Sequence, residues 1–403
     1  MKILLIICDG MGDRLIDGKT PLEAARKPNM DFIAKNGITG IMDSVGPGVR
    51  PGSDTAHLSL FGYNPFDFYT GRGPFEALGA GLSLRKGDVA LRCNFATLQN
   101  GKVIDRRAGR DEFGLEELAN ELDGMEISGT EIIFKKCSGH RAVLILRGEN
   151  LSANVSDTDP EIKNAKPLIS KPLDRNPDST KTAEIINKFT QKSIEILGDH
   201  PINKERTKMG KLPANIILVR GAGIQTHLPP FNHRYKIKGA CISATTLIRG
   251  VCRAIGMDII GVEGATGHVD SNIGGKANAA INALKSYDFV FLHIKGTDEA
   301  SHDGNFDLKK AMIERIDGEV IKPILENRKD VTIVLTSDHS TPISIRQHSA
   351  DPVPIAILGD VRTDSVERFT ERECAMGGLN RICGIHLMGI LLDLTNRAEL
   401  FGA

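Results

Sequence analysis

The chain has 403 residues, 40% hydrophobic and 25% charged, which allows two or three globular domains with sizeable cores and excludes a disordered or fibrous polypeptide. Lysine plus arginine and aspartate plus glutamate each number 51, so the formal charge is zero and the basic surplus that nucleic-acid binding draws on is missing. The first apolar run stops at Asp9, too short for a membrane span or signal-peptide core, and the 7 cysteines include no C-x-x-C pair. We therefore expect a cytoplasmic protein with reduced thiols and no nucleic-acid or membrane partner; self-assembly into a homo-oligomer is left open.

From the amino terminus, Lys2–Cys8 reads as a strand buried on both faces, because its apolar residues are consecutive rather than alternate. Helical patterns follow at residues 21–36 and 54–61. Residues 86–184 differ in character. Short strand-like pieces at 90–96, 132–134 and 142–146, a hairpin-type turn at Asn100-Gly101 and a basic run from Asp105 to Arg110 predict a smaller α+β insert. Residues 157–180, rich in Pro, Asp and Lys, read as a loop. Beyond them come a helix at 181–197, a strand at 215–219, helices at 244–255 and 276–285, a strand at 288–294, a helix at 307–327, and the strands Val331–Thr336 and Val353–Leu358. The expected fold class is α/β: a mostly parallel sheet flanked by helices, in two parts at 1–85 and 185–403, interrupted by the insert at 86–184.

Three strands run directly into polar loops: Cys8-Asp9-Gly10, Ile294 to Asp298, and Thr336-Ser337-Asp338-His339. Ligands of open α/β sheets gather outside the carboxyl ends of strands, so these loops can converge. Asp298 and His302 lie one helical turn apart and can touch one cation, and His348 follows nine residues after His339. A lone Asp there is more often a cap or turn residue, and a lone His a hydrogen-bonded one; jointly, three Asp and three His suit two divalent ions and favour Mn or Zn over Ca. A second constellation is Pro51-Gly52-Ser53-Asp54. Ser53 opens a helix, where free N–H groups attract an anion, although most serines at such a place only cap.

Together these stretches resemble the cofactor-independent phosphoglycerate mutases, in particular the archaeal-type branch of the alkaline phosphatase superfamily. The segments 71–79, 105–110, 140–141 and 155–160 are similar as well, so the resemblance spans nearly the whole chain. It implies an alkaline-phosphatase-like core split by a substrate-binding insert, with catalysis in the cleft between them, and a small-molecule phosphoglycerate substrate. Ser53 would become phosphoserine and share one metal with Asp9, Asp338 and His339, while Asp298, His302 and His348 hold the other. Mn is the first expectation for both ions, with Zn, Co or Mg behind it, and no bisphosphoglycerate is required. Glycerate would be held by Arg106, Arg110, His140 and Arg141, with Lys295 near the phosphate; for each of the basic-run arginines a solvated loop is the competing reading. Asp157 or Asp159 would move the hydroxyl proton, with Asp105 behind them. The Gly71-Arg72-Gly73-Pro74 segment is expected to be a structural turn. The rivals are a metal-dependent phosphatase or phosphodiesterase on the same core, and a non-catalytic metal-organised binding module.

Overall fold

The computed structural model describes residues 1–402. The chain divides into two compact units, residues 1–68 with 228 onward, and residues 69–227. No helix among the described residues is long and apolar enough to cross a membrane.

The larger unit is built on an eight-stranded sheet in the order Asp258–Ile259, Gly239–Ile242, Phe289–Ile294, Lys2–Cys8, Val331–Thr336, Val353–Leu358, Ile38–Asp43, Asn380–Cys383. The central strands are apolar on consecutive residues and buried throughout because helices cover both faces. Seven strands share one direction, and Val353–Leu358 alone is reversed. Register then decides what meets at the edge. Ile7 pairs with both His293 and Thr336, so Asp9, Lys295 and Asp338, each two residues on, leave the sheet at one level. Reversal of Val353–Leu358 places its start, just after His348, at that same edge.

Two expected helices are interrupted. The 21–36 pattern is two helices, Pro21–Ala24 and Pro28–Asn36, because Ala25 is extended and proline disfavours helical backbone at Lys27 before it. The 307–327 pattern opens into one wide turn at Asp317–Ile321, just ahead of Pro323, whose missing N–H cannot continue the ladder. The Asp317 carboxylate in that turn accepts from the Asn29 and Met30 N–H groups at the start of Pro28–Asn36, tying the two helices together.

The smaller unit is larger than the expected 86–184 insert, taking in residues 69–85 and 185–227 and moving the borders of both core parts. Pairing is the reason. The strand Ile216–Ile224, expected in the main sheet, runs antiparallel beside Val89–Gln99 in this unit's own sheet. The helix Pro177–Gly198 packs on one face of that sheet through Ile185, Ile186 and Phe189. Ala77 of the Gly73–Gly79 helix meets Ala90, Val143 and Ile145 on the other. The turn at Asn100-Gly101 is a hairpin turn as expected, both residues having positive φ, 51° and 71°.

Candidate metal centre

At the carboxyl edge of the larger sheet, backbone bridges from Ser340 to Met11 and Gly12 stitch the loops after Lys2–Cys8 and Val331–Thr336 together, and one from Ser340 to Ser349 folds the second loop on itself. Gly10 makes this approach feasible. Its φ is +64°, and a Cβ there would lie 2.7 Å from both Asp298 and the Thr341 hydroxyl. Its N–H donates to Asp338 Oδ1 at 3.1 Å.

Two groups of potential ligand atoms result, Asp9 with Asp338 and His339, and Asp298 with His302 and His348, the atoms of each lying within 4.8 Å of one another. In the first, His339 Nε2 is 3.5 Å from Asp9 Oδ1 and 3.2 Å from Asp338 Oδ2. In the second, Asp298 is 3.4 Å from His302 Nε2 and 3.6 Å from His348 Nε2. Two donors each about 2.1 Å from one ion stand about 3 to 3.5 Å apart, so these separations fit shared cations. Ser53, first residue of the helix Ser53–Leu60, points Oγ to 3.3 Å from His339 Nε2. The His339 and His348 rings stack with centroids 3.6 Å apart, placing the two groups side by side.

Each imidazole is held in the tautomer a metal requires. His302 Nδ1 donates to the Arg346 carbonyl at 2.8 Å, and His348 Nδ1 to the Pro51 carbonyl at 2.9 Å. The Thr341 hydroxyl donates to Asp298 at 2.8 Å, so its oxygen accepts from His339 Nδ1 at 3.0 Å. All three rings therefore present a bare Nε2 lone pair inward.

The charge balance is incomplete. Lys295 Nζ lies 3.0 Å from Asp9 and 2.6 Å from Asp298. Burial works to raise both acids, but Lys295 together with the neighbouring histidines outweighs it, with His293 and His339 acting on Asp9, and His339 and His302 on Asp298; Asp9 is held well below the ordinary carboxylate range and Asp298 down at about 2. Burial and then the Asp9 charge push Asp338 well above that range. One lysine thus faces three carboxyl groups, and Asp9 Oδ1 and Asp338 Oδ2 are buried with no hydrogen-bond partner. Orphaned oxygens opposite bare imidazole nitrogens fit divalent cations by donor chemistry and charge alike.

Sequence reasoning missed the residues behind these ligands. His293 Nε2 donates to Asp9 Oδ2 at 2.9 Å, and its Nδ1 faces the Ser243 hydroxyl at 3.3 Å. His57 Nδ1 donates to the Ser53 carbonyl at 2.6 Å. A signal for His293 was available: one imidazole inside the otherwise apolar strand Phe289–Ile294.

The insert candidates lie in the smaller unit. Arg106 grips Asp159 with two hydrogen bonds of 2.7 and 2.6 Å, so these two groups engage each other rather than standing open. Against burial, Arg106 holds Asp159 below its ordinary value. Asp157 differs: burial raises its carboxyl, and its Oδ1 accepts from the Gly221 N–H at 2.8 Å. His140 is pushed down to about 3 by burial and by Arg141, Arg107, Arg92 and Arg110. That ring of arginines includes Arg92, unforeseen from sequence, whose Nε is buried without a hydrogen bond, as is that of Arg141. Ala108, Gly109 and Arg110 take consecutive positive φ values of 43°, 72° and 60°, and Asp105 Oδ1 pins the turn by accepting from the Arg107 and Gly109 N–H groups. Strain of this kind in non-glycine residues concentrates at functional sites. The segment Gly71 to Pro74 is more than a turn, since Arg72 Nε donates to buried Glu76 at 2.9 Å.

A mixed sheet with carboxylates and imidazoles gathered at one edge, carrying a second antiparallel unit, defines an α/β protein built around a metal-binding edge. The family model for 2,3-bisphosphoglycerate-independent phosphoglycerate mutase matches residues 34–203. A mutase of that name from Methanocaldococcus jannaschii is 53% identical over 408 aligned residues, covering 100% of this chain and 99% of its own. Among solved structures, a Pyrococcus horikoshii protein superposes with a TM-score of 0.86 at 44% identity, covering 100% of this chain and 99% of its own. The cofactor-independent phosphoglycerate mutase of Thermoplasma acidophilum gives 0.70 at 39%, covering 98% and 99%. The chain belongs to the 2,3-bisphosphoglycerate-independent phosphoglycerate mutase family.

Proposed function

We propose that this protein interconverts 3-phosphoglycerate and 2-phosphoglycerate through a phosphoserine at Ser53, with one divalent cation held by Asp9, Ser53, Asp338 and His339 and another by Asp298, His302 and His348. The observation that carries the reading is the aim of Ser53 Oγ at His339 beside two orphaned carboxylate oxygens, in a chain similar to named mutases along its full length. Cations bound there neutralise phosphoryl oxygens and stabilise charge in an in-line displacement, and Mn suits the mixed imidazole and carboxylate donors.

The protein's own groups do the rest. Ser53 Oγ loses its proton and forms the bond to phosphorus as the bond to the substrate's O3 breaks, and O3 takes up a proton in its place, so that the step is proton-neutral. Glycerate then returns through O2, whose proton is removed as the Oγ–P bond breaks. Lys295 supplies a fixed positive charge between Asp9 and Asp298 for the phosphoryl group. Asp157, its carboxyl raised by burial, is the acid–base of this proposal. Arg110, Arg141 and His140 hold the glycerate carboxylate, with Arg106 kept in place by Asp159. The test follows 2-phosphoglycerate and inorganic phosphate together from 3-phosphoglycerate, with and without chelator. Metal-dependent formation of 2-phosphoglycerate is expected; release of phosphate alone would make the protein a phosphatase and end the proposal.

A further inference from the structure

Apart from the metal centre, the larger unit contains a cavity of about 210 Å³ at the carboxyl ends of the strands Gly239–Ile242 and Asp258–Ile259. Its polar lining is cationic: Arg249 and Arg253 from the helix Thr246–Ala254, Lys276 from Ile273–Ala283, and the Ser243 hydroxyl. Among the described residues no acidic side chain lines it.

Lys276 is 1% exposed, and the contact of its ammonium is a single hydrogen bond of 3.2 Å to the His293 carbonyl. Among the described residues it has no carboxylate partner within salt-bridge distance, and burial lowers it to about 8. Arg249 Nε is likewise buried without an acceptor, and burial and then the Arg253 charge depress its guanidinium. A buried cation such as Lys276 without counter-charge is destabilising unless something supplies it, and with the unsatisfied Nε of the partly buried Arg249 beside it the cavity defines what completes it. We infer that this cavity is a second, metal-independent anion site, for a phosphate dianion either free or at the end of a small phosphorylated acid. The volume, below that of drug-sized pockets, suits a phosphate group with a small attached acid. The site is not isolated, since the Ser243 hydroxyl that lines it contacts His293, which holds Asp9.

The test titrates full-length protein calorimetrically with orthophosphate and, in a separate arm, with 2-phosphoglycolate, both before and after chelation. Binding at the metal centre should vanish with the metal, whereas the cavity should still take about one anion per chain. Arg249→Gln and Lys276→Met should each weaken the chelation-resistant binding by at least about tenfold, and Arg249→Lys should retain most of it. Tighter binding of 2-phosphoglycolate would identify the ligand as a phosphorylated acid, and tighter orthophosphate the free ion. Absence of binding in both arms after chelation overturns the inference, as does equal binding by wild type and by folded Arg249→Gln and Lys276→Met proteins, folding being checked by circular dichroism.

Discussion

Ser53 is 7% exposed, and its hydroxyl has His339 as its contact, while the residue in the capping position is Gly52. Ser53→Ala should therefore remove mutase turnover and change unfolding free energy by less than about 1 kcal/mol, measured by coupled assay and urea melt. Turnover remaining in that variant would exclude a phosphoserine. The orphaned oxygens of Asp9 and Asp338 lead to a second expectation: chelation should lower the thermal midpoint by several degrees as well as stop turnover. Mn, Co or Zn should restore both better than Ca, because imidazole donors disfavour a hard oxygen-seeking ion. An unchanged midpoint in protein proven metal-free would contradict the assignment. At this scale the candidate ligand groups were legible because Asp9, Asp298, Asp338 and His339 sit where apolar strands stop. The residues that aim them were not, since His293 and the Pro51 carbonyl act across hundreds of positions of sequence, and Thr341 reaches Asp298 across 43.

The reversed strand Val353–Leu358 decides whether His348 reaches the site. Ile355 within it is fully buried, paired to Gly40 of the neighbouring strand Ile38–Asp43. Ile355→Ala should cost about 2 to 4 kcal/mol by urea denaturation and weaken metal binding by loosening the start of the strand. Loss of stability with unaltered metal affinity would show that the loop holds His348 unaided. The apolar run of 353–358 was readable as a strand but its direction was not, because direction depends on the partner, and pairing leaves no mark in local periodicity. The strand Ile216–Ile224 misled for the same reason. Buried strands of parallel and antiparallel sheets look alike when both faces are covered.

The smaller unit is one continuous segment with its own core, and its ends meet where the Thr70 hydroxyl donates to the Ile224 carbonyl at 2.6 Å. Residues 69–227 expressed alone should fold cooperatively, judged by a single urea transition with dispersed amide resonances. Its stability should also be acid-sensitive. His140 titrates at about 3 when folded against 6.5 for the free side chain, so below pH 6.5 the unfolded segment binds a proton that the folded one does not. Stability present above 6.5 is lost as pH falls toward 3, and His140→Asn should flatten that slope. A fragment whose stability changes equally with pH in both forms would place the acid sensitivity elsewhere.

The central strand of the main sheet, Lys2–Cys8, has as its neighbours Phe289–Ile294 and Val331–Thr336. During synthesis it leaves the ribosome long before either partner exists, with the whole smaller unit made in between. The nascent polypeptide must therefore carry a bare, apolar seven-residue segment through most of translation. Sheet closure becomes one of the last events and a slow one, since the pairing spans much of the chain. Holdase chaperones should consequently engage the unfinished chain at its first strand and let go once residues 331–336 have emerged.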